Sequence, residues 1–111
     1  MNWYLAKIVF KITSGSVAGA VQFDEHLRLI IAENFDSAFA KAKLIGIREE
    51  DQFFNDKLQP ARWEFVNIAE LTALEELCDG LEVYSQIHET TEAKSYINLV
   101  HRKAAALQLE N

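Results

Sequence analysis

The chain has 111 residues, half of them hydrophobic and a quarter charged, and its formal net charge at pH 7 is −6. This length suits a single domain, and the composition is typical of a globular protein rather than a disordered one. The excess of 17 acidic over 11 basic residues argues against nucleic acid or an anionic membrane as a partner, because both polyanions require clustered cations.

Cellular location can be inferred from what the sequence lacks. No apolar run reaches the roughly 18 residues that a transmembrane helix needs, and the first residues lack the pattern of a signal peptide. The single cysteine, Cys78, cannot form an internal disulfide, which agrees with a reducing compartment. We therefore expect a cytoplasmic protein.

The first predicted element is a strand over Trp3–Thr13, which is rich in aromatic and β-branched residues. Its even-numbered residues are all apolar, which predicts a core face: Tyr4, Ala6, Ile8, Phe10 and Ile12. The odd-numbered residues include Trp3, Leu5 and Val9, with one lysine between them and another after them. We expect these three apolar side chains to be buried as well, and whether a helix or another protein buries them bears on function.

A connection, a second strand and a helix follow. The small residues of "SGSVAGA" predict a hairpin connection, and Val21–Ala32 predicts a strand with a bend or bulge near Asp24. The apolar period then changes to spacings of three and four, which predicts a helix that begins after an N-cap at Asn34. Gly46 is predicted to end this helix in the left-handed conformation.

The next part of the chain is polar. The stretch "REEDQFFNDKLQPA" predicts a turn-rich connection, and Arg62–Ile68 predicts a third strand. For "AELTALEELCDG" the pattern leaves two alternatives, an irregular edge or a short helix, before a turn at Asp79 and Gly80.

Two further elements complete the predicted fold. Leu81–Ile87 alternates between apolar and polar residues and predicts a fourth, half-buried strand. An amphipathic helix is predicted from Thr90 or Thr91 to Leu109. The order ββαββα predicts an α+β fold, a four-stranded, mainly antiparallel sheet with two helices on one face. We expect one domain over residues 1–111, with its core at 3–87 and the C-terminal helix within 88–111.

Four segments resemble a bacterial family known as domain of unknown function 4288. They are "WYLAKIVF", "LIIAENFDSAFAKAKLIG", "WEFVNIAEL" and "DGLEVYSQI", in matching order and spacing from residue 3 to about 87. The resemblance implies a small, intracellular, stand-alone bacterial domain. It brings no activity, cofactor, ligand or catalytic residue, and the helix after Thr90 lies outside the family pattern.

Few residues are candidates for chemistry. Asp24 and His26 share one face of the second strand, where a carboxylate could orient an imidazole for acid–base catalysis, but no nucleophile stands beside them. The alternative interpretation is a solvated strand bend. The three histidines lack the spacing of metal ligands, and the acidic neighbours of Cys78 disfavour a reactive thiolate. We predict neither a metal nor a cofactor.

The pattern favours a non-enzymatic, self-associating interaction domain, most simply a homodimer. The predicted interface contains Trp3, Leu5 and Val9, and one face of the third strand would add Trp63 and Phe65, or else Val66 and Ile68. The acidic charge also permits a regulatory role toward another protein.

Two alternatives to this interpretation remain. An enzyme or small-ligand site could lie between sheet and helices, at Asp24 and His26 or at Tyr84 and His88. In the other alternative, the last helix docks on the sheet of a neighbouring copy.

Overall fold

The computed structural model describes residues 1–14, 21–54 and 60–109, and these form four strands and two helices. In chain order they are β1 (Asn2–Ser14), β2 (Val21–Ala32), α1 (Phe35–Arg48), β3 (Asp51–Phe54), β4 (Pro60–Ala73) and α2 (Ala93–Leu109). The strands pair antiparallel in the order β2-β1-β4-β3, with β1 between the two other long strands. The predicted glycine-rich hairpin connection falls on residues 15–20, outside the described residues.

The α+β class agrees with the sequence pattern, but the predicted four-stranded sheet with two helices on one face is wrong. Three long strands, β2, β1 and β4, form the sheet, and the four-residue β3 only extends its edge beside the start of β4. The short β3 lies in the stretch predicted to be a connection, and β4 runs five residues past the predicted strand end at Ile68.

The predicted fourth strand, Leu81–Ile87, has no regular secondary structure. Its alternating apolar residues are not buried as a set, since Val83 is 46% and Ile87 97% exposed. The segment crosses a face of the sheet and places the Tyr84 ring centroid 5.3 Å from the Lys7 ammonium. The turn predicted at Asp79 and Gly80 is present, and Gly80 adopts the positive φ of 85° that favours glycine.

The core lies between α1 and the even-numbered face of β1. Its buried side chains come from three elements: Tyr4, Ala6, Ile8 and Phe10 of β1, Ile30 and Ala32 of β2, and Ala38 and Ala42 of α1. Trp63, Phe65, Ile68 and Leu71 of β4 pack against this cluster from the same side. The even-numbered residues of β1 are therefore the core face that the sequence predicts.

Helix α1 begins where the sequence predicts but does not end there. The Asn34 side chain accepts a hydrogen bond of 2.8 Å from the Ser37 backbone N–H, which confirms the N-cap. Gly46, predicted to end the helix, is instead buried inside it. A Cβ atom at this position would overlap the Phe65 ring and lie 3.1 Å from Cγ2 of Ile8. The glycine is required by this close approach of helix and sheet.

In contrast, α2 contributes nothing to the core. It has no buried residue, and its backbone stays more than 8 Å from that of every described strand and of α1. Neither helix described has the length and apolar character needed to cross a bilayer. Among the described elements, the sheet is thus covered by one helix, on one face.

The close packing at Gly46 is testable with Gly46→Ala. Overpacking of this kind costs about 1–3 kcal/mol, whereas the better helix propensity of alanine returns about 1 kcal/mol. We expect the free energy of unfolding, measured by urea denaturation at fixed protein concentration, to fall by about 1 kcal/mol.

The matched control is Ala40→Gly, at an exposed position of the same helix. It should also destabilise the protein, by about 1 kcal/mol, through helix propensity alone. Replacing glycine by alanine at position 46 and alanine by glycine at position 40 would then both lower the free energy of unfolding. A Gly46→Ala variant more stable than the wild type would contradict the packing argument.

Candidate functional site

The sheet face opposite α1 carries the odd-numbered residues of β1 and their cross-strand partners. We call this surface the open face. Its members are Trp3, Leu5, Lys7, Val9 and Lys11 of β1, Phe23, Glu25, Leu27, Leu29 and Ile31 of β2, and Glu64, Asn67, Glu70 and Thr72 of β4. No helix covers it among the described residues.

The β2 side of the open face exposes large apolar side chains. Phe23 is 61% exposed, Leu27 50% and Leu29 52%. On the neighbouring strand, Trp3 and Leu5 are half-buried. Apolar side chains clustered this way on a strand surface are typical of an interaction site rather than of scattered surface residues.

A charged group lies at the centre of the open face. The Lys7 Nζ atom is 3.2 Å from a carboxylate oxygen of Glu70 on β4 and 3.2 Å from one of Glu25 on β2. These hydrogen bonds, first to Glu70 and then to Glu25, raise the pKa of Lys7 above its usual range. The three residues link the three long strands at this point of the sheet.

The segment around Tyr84 covers the β4 side of the open face. Its path leaves a cavity of about 880 Å³, lined on the sheet by Leu5, Lys7 and Glu70 and above it by Leu81 and Tyr84. Because this cavity is wide and open, the segment covers the open face only in part. The lining also includes Leu27 of β2, and within the described part of the chain Phe23, Leu27 and Leu29 stay at least 50% exposed.

The residues predicted as interface divide between the two faces. The structure brings Trp3, Leu5 and Val9 together on the open face, as the period-two pattern indicates. Trp63 and Phe65 lie on the opposite face, where they pack beside the core that α1 covers.

Asp24 and His26 also lie on the α1 side, beyond the end of the helix. The His26 Nε2 atom is 2.8 Å from Oδ2 of Asp24, and the Trp63 indole N–H donates to the same oxygen at 3.1 Å. Arg28 reaches His26 Nδ1 at 3.2 Å and forms an ion pair of 3.0 Å with Glu49. Five side chains from β2, β4 and the end of α1 thus form one network.

This network leaves the histidine no free ring nitrogen. Arg28 can only donate, so Nδ1 of His26 accepts and Nε2–H donates to Asp24. A general base requires a nitrogen that can reach a substrate, and both are occupied here. The arrangement holds β2, β4 and α1 together rather than presenting a base.

Arg28, Glu49 and Trp63 are the members of this network that the sequence does not predict. Trp63 lies 39 residues from its partner Asp24, and no local pattern reports such a contact. A cavity of about 330 Å³ adjoins the network and is lined by Phe10, Asp24, His26, Glu49, Asp51 and Trp63.

The remaining candidates do not form a centre for chemistry. His88 stacks on Tyr96 with ring centroids 5.0 Å apart, while Tyr84 lies against Lys7, so the pair Tyr84 and His88 has separate partners. Cys78 is exposed. Within the described ranges, no group of three or more His, Cys, Asp or Glu residues is placed to hold a metal ion.

Comparison with known proteins assigns the part of the chain that contains the sheet and α1 to a family. A family model described as Domain of unknown function (DUF4288) matches residues 3–85. The chain belongs to this family. The DUF4288 match spans β1 to β4 and the segment that crosses the open face, and it ends before α2. No curated protein and no solved structure matches the chain.

The Asp24 network of the DUF4288 domain predicts a specific pH dependence. The Trp63 indole and then His26 donate to the Asp24 carboxylate and lower its pKa. A depressed folded-state pKa stabilises the fold above the unfolded value of about 3.9, and this stability is lost as pH falls through the folded value. Asp24→Asn should therefore be less stable than wild type at pH 6, by about 1 kcal/mol because the carboxylate is partly exposed.

The measurement is chemical denaturation between pH 6 and the acid range. The stability gap between wild type and Asp24→Asn should close below about pH 4. Trp63→Phe should shrink the gap, since it removes the strongest donor, and Asp79→Asn controls for loss of one charge outside the network. A gap that stays constant with pH would show that the network does not hold the carboxylate ionised.

Proposed function

We propose that this protein is a non-enzymatic interaction domain that self-associates as a homodimer through the open face. Two observations support the proposal: the apolar side chains of β2 on the open face are half-exposed, and α2 has no buried residue. A second copy could bury both of these apolar surfaces in one symmetric contact.

The size of the exposed surface supports this proposal. The chain exposes 8855 Å², whereas a compact monomer of 12.7 kDa exposes about 6,200 Å². Its radius of gyration is 18.1 Å, compared with about 13 Å for a compact domain of this length. The excess area is as large as each partner buries in an obligate dimer, about 1,000–2,500 Å².

The charged network on the open face also suits an interface. Lys7 is paired with both Glu25 and Glu70, so the group carries one negative charge in excess. The Lys7 side chain is only 18% exposed even in the single chain. Covering this part of the face would therefore favour a partner that supplies a basic group to compensate that charge.

Self-association is tested by gel filtration with light scattering at tens of micromolar protein. We expect twice the chain mass of 12.7 kDa for the wild type. The double variant Leu27→Gln with Leu29→Gln should shift the mass toward that of a single chain while keeping the circular dichroism spectrum, because both side chains are exposed and lie outside the core.

The matched control is Leu44→Gln, which removes an equally exposed leucine from α1 rather than from the open face. It should remain dimeric. A wild type that elutes as a single chain throughout would refute the proposal, as would a double variant that remains fully dimeric.

Small-ligand binding at the network of Asp24 and His26 is the second candidate function. The adjoining cavity of about 330 Å³ favours it, since ligand pockets begin near 300 Å³. Thermal-shift screening would support it if a compound raised the Tm of the wild type and not that of His26→Ala. A compound acting equally on both proteins would exclude this cavity as its site.

A further inference from the structure

We propose that the two copies of this dimer exchange their C-terminal helices, so that α2 of each packs on the β2 side of the other's open face. The inference rests on the proposed self-association and names its occupant. Three observations support it: the charge of α2, the similar lengths of α2 and the β2 strand, and the path of the chain before α2.

The charges of the helix and of the rest of the chain are opposite. Helix α2 carries three basic residues, Lys94, Arg102 and Lys103, and no acidic one. The preceding segment, residues 74–92, carries six acidic residues and no basic one, in a chain of net charge −6. A second copy therefore carries an acidic excess outside its own α2, which attracts this basic helix at long range rather than repelling it.

The Cα atoms of α2 stay more than 8 Å from those of the strands and of α1 in its own chain, and the helix has no buried residue. Tyr96, Ile97 and Val100 lie on one side of the helix and are 44%, 51% and 45% exposed. An isolated helix of 17 residues gains stability mainly from packing such a stripe. In the single chain the stripe gains only the His88 ring, stacked on Tyr96, and otherwise stays about half exposed.

The β2 side of the open face matches this helix in length and character. Seventeen helical residues span about 25 Å, and the strand from Phe23 to Ile31 spans about 27 Å. Phe23, Leu27 and Leu29 offer exposed apolar side chains along it. Glu25, on the same strand, lies within this surface and offers a carboxylate to the lysines and arginine of the helix.

The path of the chain leaves α2 without close backbone contact to its own sheet. The segment before it crosses the β4 side of the open face at Tyr84, and the backbone of α2 then stays more than 8 Å from that of its own strands and of α1. The β2 side of each copy is thus left to the helix of the other. Reciprocal exchange would cover both helices and both faces in a closed twofold dimer.

Single cysteines test the exchange directly in the full-length chain. In a Cys78→Ser background, one copy carries Leu29→Cys on the open face and the other, coexpressed with a different affinity tag, carries Val100→Cys on α2. A short bismaleimide should join unlike copies in high yield. In the control pair, Leu44→Cys replaces Leu29→Cys, and because Leu44 lies on α1 the yield should fall about tenfold or more.

Other occupants give other products. A Leu29→Cys variant that joins mainly to itself would mean that two open faces pack together, and a Val100→Cys variant joined to itself would mean paired helices. Either result overturns the exchange while leaving the proposed self-association intact. A single-chain mass by light scattering, with no cross-link between copies, overturns both.

A pair of charge variants measures the helix stripe without cross-linking. Val100→Glu should raise the dimer dissociation constant about tenfold or more, because it buries a charge in an apolar contact. Asn98→Glu adds the same charge on the polar side of α2 and should change it far less. Equal effects of the two variants would show that the stripe is not buried in the dimer, and so would overturn the exchange.

Discussion

One close contact organises this structure: α1 lies against the even-numbered face of β1 through the smallest side chains it has. Ala38, Ala42 and Gly46 are all buried, and at Gly46 the helix backbone approaches Phe65 and Ile8 too closely for a Cβ atom. This contact places α1 on one face of the sheet. The opposite face, with its own apolar residues, is left to be covered by something other than that helix.

The features of this fold that could be predicted from the sequence are those that depend only on neighbouring residues. Two-residue alternation predicts both faces of β1, and Asn34 predicts the start of α1, because these patterns depend on neighbours a few residues away. Gly46 misleads because a glycine after an apolar stripe has the same local signature whether it ends a helix or admits a neighbouring strand. Only the distant Phe65 distinguishes the two.

The errors over 51–54 and 81–87 both come from pairing that local patterns do not report. The polar, turn-rich composition around 51–54 hides a short strand that forms only by pairing with the start of β4. At 81–87 the sequence alternates, but no strand pairs with it, and Ile87 is 97% exposed. Only part of the network around Asp24 could be predicted. The contact with His26 follows from strand geometry, whereas Trp63 and Glu49 lie on other elements of the fold.

The edge of β2 and its open-face surface differ in how far the chain itself occupies them. Because Trp3 bonds to Leu74 on the β4 side, its partner Ile31 turns its backbone groups outward, at the free edge of β2. The Lys41 ammonium donates to that outward oxygen at 3.0 Å, which occupies a group that an added strand would need. At Ile31 the edge of β2 therefore has one backbone acceptor already occupied, whereas the apolar side chains of β2 on the open face stay exposed.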